Sequence, residues 1–479
     1  MAETLTPDLC VIGAGSAGLS VAAGAVQMGA SVVLIEKGKM GGDCLNYGCV
    51  PSKALLAAAH RMESIRTARG LGIAAEPALD FAAVHKHVHE VIAAIAPHDS
   101  VERFEGLGVT VISGAAKFTS PRTVEVAGEA AGRTIKPRRF VIATGSHAFV
   151  PPIAGLSDVP YLTNETVFDL TDLPRHLIVM GGGPIGCELA QAFRNLGSAV
   201  TMIEAAKILP KDDPDLAAVV RARLIGEGVT LHEGAQAMAV ARDIAGNAGG
   251  VRIILQSGAA VTGSHLLVAV GRRPSIADLD LRAGGIESTA KGITVDAGLR
   301  TGNRRAYAIG DCAGGPQFTH TAGYHAGIVV RSALFRLPAK ANHGIMPWVT
   351  YTDPELAQVG LTEAEARKHH GENTRVLTAA FADNDRARAE RTTEGLIKVI
   401  VSKKGHILGA GIAGPRAGDL IQPWVLAMSN KLKIGSMATV IAPYPTLGEI
   451  NKRAAGGYYT PTLYSPRTRA LVGFLKRFG

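Results

Sequence analysis

A chain of 479 residues exceeds what one hydrophobic core holds and predicts about three domains. Apolar residues make up 47% and 57 positions are glycine, which excludes a disordered chain and fits α/β folds. A net charge of +9 admits anionic partners, while only five cysteines exclude a secreted disulfide framework and fit a reducing cytoplasm.

The stretch from Leu9 to Ile35 carries no charge and is as long as a membrane span. Met1 to Asp8 is acidic, however, and lacks a signal-peptide start. Gly13, Gly15 and Gly18 interrupt the apolar run and Glu36 ends it. The pattern predicts a strand over Leu9–Ile12, a glycine turn, a helix to Met28 and a strand from Ser31 to Ile35. That is the dinucleotide-binding fingerprint in its proper context. The glycines let backbone approach a pyrophosphate at a helix N-terminus, and Glu36, 18 residues past Gly18, can accept ribose hydroxyls.

Next comes Gly41-Gly42-Asp43-Cys44-Leu45-Asn46-Tyr47-Gly48-Cys49-Val50-Pro51-Ser52-Lys53. An alanine-rich run from Ala54 to Ala59 predicts a helix, so both cysteines lie in its first turns, with Asp43 as a cap. A helix N-terminus and the nearby Lys53 favour a thiolate, more than a structural staple or two buried thiols would need. Cys10, Cys187 and Cys312 sit in apolar or glycine-rich surroundings. His85 and His89 are spaced for a metal on one helix face, but no third ligand follows, and an exposed or interface face is the simpler reading.

The fingerprint recurs at Leu177–Met180, Gly181-Gly182-Gly183-Pro184-Ile185-Gly186, a helix toward Leu196, and a strand Val200–Ile203 closed by Glu204. Two such devices predict two dinucleotide sites by internal duplication. Phe140-Val141-Ile142-Ala143-Thr144-Gly145-Ser146 and Leu266–Pro274, which includes Gly271-Arg272-Arg273, are two further strand-to-glycine-turn segments. Ala306–Ala313 is a buried strand ending at Asp311.

The Cys44–Lys53 motif resembles the redox-active stretch of the flavin-dependent pyridine nucleotide–disulfide oxidoreductases, among them dihydrolipoamide dehydrogenase, glutathione reductase and mercuric reductase. Tyr351-Thr352-Asp353-Pro354 to Thr362 resembles the start of that family's dimerisation domain. The resemblance covers roughly residues 5–460. It implies an α/β chain with two Rossmann-like domains, for FAD and NAD, and a C-terminal α+β dimerisation domain. FAD would occupy 1–155 and 275–345, the nicotinamide dinucleotide 156–274, and dimerisation 346–460, leaving 461–479 as a basic tail.

The same resemblance implies site residues. Cys49 would face the flavin and Cys44 the substrate, with Lys53 near the flavin's reactive nitrogen and Glu188 paired to that lysine near the nicotinamide. FAD contacts would come from Gly13, Gly15, Gly18, Glu36, Lys37, Gly42, Lys53, Ala116, Thr144, Gly145, Asp311 and Thr319. The nicotinamide dinucleotide would be held by Gly181, Gly183, Ile185, Gly186, Glu204 and Gly271. Glu204 would repel a 2′-phosphate and only Lys207 follows it, which favours NAD(H) over NADP(H). The chain is thus expected to be a cytoplasmic homodimeric FAD enzyme passing electrons from NAD(P)H to a Cys44–Cys49 disulfide and on to a disulfide, metal ion or other small acceptor. Two rivals are a diaphorase or quinone/metal reductase in which flavin alone reduces the acceptor, and a redox-sensing flavoprotein with little turnover. No motif points to nucleic acid.

Three departures stand out. Disulfide-handling members carry a His-Pro pair and a glutamate five residues after the histidine, which serves the partner subunit's site. Here Tyr444 takes the histidine's place, before Pro445 and Glu449. A phenol with a pKa of about 10 is a poor base at neutral pH, and a general base contributes about 10²–10⁴-fold. Glu449 is either left over from that pairing or orients Tyr444. Mercuric reductases also carry tyrosine there, but they hand metal over through a second cysteine pair, and no cysteine follows Cys312. Asp43, where lipoamide enzymes usually have threonine, and His325 are the other departures. From Ile450 to Gly479 there are six Lys or Arg and no acid, and Leu471, Phe474, Leu475 and Phe478 share one face of a helix begun by Ser465-Pro466. Packing against the protein's own dimer is the simpler role for that helix, a membrane surface or partner the sharper one.

Overall fold

The computed structural model describes residues 3–128, 132–243 and 250–478. The chain divides into two compact units. The first comprises Met1–Gly182, Ala192–Ala205 and Ala235–His343, and the second Gly183–Gln191, Ala206–Gly234 and Gly344–Gly479.

The first unit is built on a five-stranded parallel sheet in the order Ala306–Ala308, Arg139–Ile142, Leu9–Ile12, Val32–Glu36, Thr110–Ser113. Leu9–Ile12 is buried at every residue, as a strand covered on both faces must be. Its alternate side chains feed two cores. Leu9 and Val11 pack with Leu34, Val141 and Tyr307, beneath the helices Ser16–Gln27 and Thr319–Ala333. Cys10 and Ile12 pack with Phe140, Ile142 and Phe118 on the opposite face. The uncharged stretch that could be mistaken for a span is therefore strand, turn, helix and strand. Among the described residues no helix is long and apolar enough to cross a membrane.

The duplication is present. Ala199–Glu204, His176–Met180 and His265–Val268 run parallel, in that order, above a core of Ile178, Met180, Ile203 and Leu266. Three antiparallel strands, Ala237–Asp243, Gly250–Leu255 and Ala260–Gly263, complete it. Ser146–Ala148 pairs with Arg272–Pro274, so the two strand-to-glycine turns singled out in the sequence meet as a short antiparallel ribbon.

The second unit carries a five-stranded antiparallel sheet in the order Trp348–Thr350, Glu355–Gly360, Ile407–Gly414, Leu396–Ser402, Thr374–Ala380. Helices Gln422–Ser429 and Glu449–Gly456 bury Trp424, Ile450 and Ala454 with Ile397, Val399 and Ile412. The Trp424 indole N–H donates to Asn451 Oδ1 at 2.8 Å. Buried Lys398 is surrounded by Asp213 (3.1 Å), Asp215 (2.6 Å) and Glu363 (2.7 Å). Burial alone would push that ammonium down, but the three carboxylates win and hold it charged. Ser465 caps the last helix, Pro466–Leu475, by accepting from the Thr468 amide, and Leu471, Phe474, Leu475 and Phe478 are all exposed.

Candidate active site

The two cysteines do not share one helix as the sequence suggests. Cys44 lies in the five-residue helix Gly42–Asn46, and Cys49 is the first residue of the separate helix Cys49–Thr67. Gly41 and Gly48 are the N-cap positions and neither helix has a side-chain cap, so the capping role expected of Asp43 is not taken. The reason is a stronger partner: Asp43 Oδ1 meets Arg272 Nη2 at 2.9 Å.

Glycines lace this loop to the first dinucleotide turn. The Gly41 N–H donates to Ala14 O at 2.9 Å, and Gly15 and Gly41 form a parallel bridge. Gly42 has φ +59°, and a Cβ there would lie 2.7 Å from Gly15 Cα, so the two backbones approach as only glycines allow. Gly13 has φ +105° and its missing Cβ would lie 2.5 Å from Ala143 O, while a Cβ on Gly18 would lie 1.8 Å from Gly13 O. Glu36 holds the turn by accepting from the Ala14 amide at 2.5 Å and the Gly38 amide at 2.7 Å.

The sulfurs sit where charge is favoured. Cys49 Sγ lies 3.4 Å from Thr319 Oγ1, and Thr319 is the first residue of the helix Thr319–Ala333. Two helix N-termini thus converge on one sulfur. A hydrogen bond from Cys44, assisted by Thr319 and by the charge of Lys53, outweighs burial and holds the Cys49 thiol down to about 6. The same bond, followed by burial, pushes the Cys44 thiol up. Cys49 is therefore the thiolate at neutral pH and Cys44 keeps its proton. Cys49 is exposed and Cys44 half-buried. Lys53, one turn further along the helix, donates to Ser52 Oγ at 3.3 Å. The remaining cysteines, Cys10, Cys187 and Cys312, are buried, and Cys312 donates to Ile142 O and Ile309 O.

Asp311 is desolvated, which raises its pKa against the opposing hydrogen bond from Ser146 and the charge of Arg272. Ser146 Oγ donates to Asp311 Oδ2 at 2.5 Å. Behind it, buried His325 accepts the Gly310 N–H at Nδ1 (3.2 Å), so its proton is on Nε2, 2.8 Å from Nε2 of His343. Burial, then His343, pushes His325 down to about 4 and keeps it neutral. His325 is a brace for the Asp311 turn, visible only once His343 is brought beside it. Thr144 Oγ1 is buried and faces the Cys312 thiol. Gly145, at φ +66°, has open space where a Cβ would stand. The glycine cradle at Gly13–Gly18 and the Glu36 carboxylate beside it fit a dinucleotide. Of the other residues expected at this site, Lys37 is paired with Asp278 at the surface (3.1 Å), and Ala116 is buried in the strand Ala115–Ser120 opposite Val126.

In the second turn, Gly181 has φ +114° and its missing Cβ would lie 2.4 Å from Ala269 O. Glu204 accepts the Gly182 amide at 2.7 Å. A Cβ on Gly183 would meet nothing within 4 Å, and nothing crowds Gly271, at φ +125°. Ile185 is exposed and Gly186 buried at the start of the helix Pro184–Leu196. Glu188, buried on that helix, accepts the Tyr351 amide at 3.0 Å.

Tyr444 is 72% exposed, and its hydroxyl donates to Asp385 Oδ2 at 3.1 Å. That bond and the charge of Asp385 raise the phenol above its ordinary value. Glu449 is not its orienting partner; Glu449 Oε2 accepts the Thr446 amide at 3.2 Å. Asp385 was missed because it lies 59 positions away and no local pattern links the two. The rings of His85 and His89 lie 4.3 Å apart, tilted by 52°, His89 Nε2 is 3.2 Å from Phe168 O, and no cluster of three metal-binding side chains occurs among the described residues.

A redox dithiol lying against one of two dinucleotide folds defines a flavin- and nicotinamide-dependent disulfide reductase. The chain belongs to the pyridine nucleotide-disulphide oxidoreductase family, whose model matches residues 7–326, with the family's dimerisation domain matching 346–455. Its chemistry runs from NAD(P)H through FAD to a disulfide. The chain is 36% identical to a mercuric reductase of Bacillus cereus over 92% of its own length and 70% of that protein's. It is also 36% identical to a dihydrolipoyl dehydrogenase of Geobacillus stearothermophilus, covering 94% of this chain and 95% of the relative. Among solved structures, a Cu(II) complex of the HOCl-induced flavoprotein disulfide reductase RclA from Escherichia coli superposes with a TM-score of 0.85 at 28% identity, over 94% of this chain and 99% of that one.

Proposed function

We propose that this chain is a homodimeric NADH-dependent reductase that acts through Cys44 and Cys49, with a soft metal ion as its best-suited acceptor. FAD would be held by residues 1–155 and 275–345, NAD(H) by 156–274, and the dimer by 346–460, as the family resemblance implies. A bound FAD would supply two-electron transfer between the nicotinamide and the Cys44–Cys49 disulfide. The chain's own residues do the rest. Lys53 offsets charge near the flavin, Glu188 takes the family's role near the nicotinamide, and Cys49 holds the thiolate while Cys44 keeps a proton.

The observation that carries the choice of acceptor is Tyr444. Thiol exchange on a disulfide needs a base to take the Cys44 proton, and a phenol raised further by Asp385 is a poor one. A soft cation needs no such base, because binding to thiolates itself releases the proton. Relatives named mercuric reductase and a neighbour solved with Cu(II) support this choice. The test is an anaerobic NADH titration followed by an acceptor screen of lipoamide, glutathione disulfide, Hg²⁺, Cu²⁺ and quinones. Metal turnover should exceed disulfide turnover, and Cys44→Ser should abolish both while leaving quinone reduction intact. Metal reduction that survives Cys44→Ser would assign the work to flavin alone, and negligible NADH oxidation with every acceptor would favour a sensor.

The Glu204 carboxylate supports NADH over NADPH, and cysteine usage supports a cytoplasmic setting. The tail helix is proposed to pack in the dimer. Equal pelleting with anionic liposomes of the full chain and of a chain stopped after Thr460 supports that, and loss of pelleting on truncation assigns the helix to a membrane surface.

A further inference from the structure

Asp43 places a carboxylate on the residue next to Cys44, an awkward position for a protein that needs a thiolate at Cys49. Its negative charge opposes that thiolate. The fold answers with one cation. Arg272 Nη2 meets Asp43 Oδ1 at 2.9 Å and also donates to Ser146 O at 2.8 Å, while its Nε donates to Ser146 Oγ at 2.7 Å. Ser146 Oγ passes the chain on to Asp311 Oδ2 at 2.5 Å. The guanidinium is almost fully enclosed, with 11% of its side chain exposed. Asn164 completes the clamp: its Nδ2 donates to Asp43 Oδ1 at 3.0 Å and to Tyr47 O at 3.2 Å. The other Asp43 oxygen lies against Gly48, where a Cβ would stand 2.8 Å from it.

We propose that Arg272 is a positioning residue of the redox site: it bridges the dithiol loop at Asp43 to the cofactor-side acid Asp311 through Ser146, and cancels at Cys49 the charge that Asp43 brings. This rests on the functional reading above only in taking Cys49 as the reactive thiolate. A fork of planar donors is what the site requires, since three bonds to two residues leave Arg272 in one orientation; a lysine could not make them together. The charged and titratable groups that face Cys49 are Cys44, Lys53 and Asp43, with the Thr319 hydroxyl in contact. Arg272 acts on Cys49 by opposing, with its own charge, the Asp43 carboxylate that it holds. The position of the arginine on the Ser146–Ala148/Arg272–Pro274 ribbon ties the geometry of the dithiol loop to that crossing.

The test is the pH profile of Cys49 alkylation by iodoacetamide in the purified, reduced protein, resolved from Cys44 by peptide mass spectrometry. It needs no turnover and no acceptor. Arg272→Met should move the midpoint up by about one pH unit, the lower end of what a neighbouring charge contributes. Asp43→Asn should move it down, and the double variant should return close to the parent. A merely structural role would not give shifts of opposite sign that cancel. Midpoints that stay put, or that shift the same way in Arg272→Met and Asp43→Asn, overturn the proposal. Should Arg272→Met fail to fold, Arg272→Gln is read in the same way: a raised midpoint supports the assignment and an unchanged or lower one overturns it. Loss of dithiol turnover with both midpoints moved as stated would leave the choice of acceptor to the separate screen.

Discussion

The two dinucleotide turns are built alike and held differently. Gly13 and Gly181 both sit at positive φ with a carbonyl, Ala143 O or Ala269 O, where a Cβ would be. Glu36 and Glu204 both close their turns by accepting a turn amide, from Ala14 and from Gly182. The first turn is then bound to a second piece of chain, through the Gly41 N–H to Ala14 O and the contact of Gly42 with Gly15. At Gly183, the counterpart of Gly15, nothing lies within 4 Å of a Cβ. Under the proposed assignment, the turn that would keep FAD is fastened on two sides, and the one that would exchange a soluble dinucleotide is left open.

That contrast can be broken by matched variants. The largest effect is expected from Gly13→Ala. A left-handed alanine costs about 1–2 kcal/mol before the clash with Ala143 O is counted, and the strain is transmitted to the dithiol loop. Most flavin should be lost on purification, read as visible absorbance against protein. Full flavin content in this variant would remove the first half of the comparison.

A second effect concerns the sulfur that the first turn positions. The Cys49 thiol is held down to about 6 from an ordinary 9.0, so the thiolate is populated above pH 6 and is lost as pH falls through it. Alkylation of Cys49 should fall about tenfold per pH unit below that point, in proportion to thiolate, and should level off above pH 7. A midpoint near 9 would show that the converging helix ends and Cys44 do not act on Cys49 as described.

Gly181→Ala is the matched partner of the first variant. It should leave flavin content unchanged and raise the KM for NADH about tenfold, since 1.4 kcal/mol corresponds to a factor of ten. Flavin loss equal to that of Gly13→Ala would erase the distinction between the turns. The smallest effect is expected from Glu204→Ser. Removing a carboxylate near a 2′-phosphate is worth about 1 kcal/mol in a solvated site, so kcat/KM with NADPH should rise roughly fivefold. An unchanged ratio of NADPH to NADH would separate Glu204 from cofactor choice.

Much of this molecule is written in local pattern. Both fingerprints, the strands at Leu9–Ile12 and His176–Met180, the helix after Cys49 and the Ser465–Pro466 helix start depend on spacing along the chain. The site was legible to the extent that its residues fall in motifs, as Cys44, Cys49, Gly13, Gly42 and Asp311 do. Asp43 was misread as a cap because capping is the local use of an aspartate before a helix, and its partner lies far along the chain at Arg272. The partners of His325 and Tyr444 were not legible, because His343 and Asp385 lie 18 and 59 positions away.

The amino-acid order alone determined that the chain holds two dinucleotide turns and a reactive cysteine pair, because glycine conformation and hydrophobic period act over a few neighbouring residues. Only the tertiary structure decided which sulfur carries the charge and which cation answers Asp43. Those outcomes depend on burial and on distances of about 3 Å between groups far apart in sequence, and electrostatic energy follows that separation in space, not position along the chain.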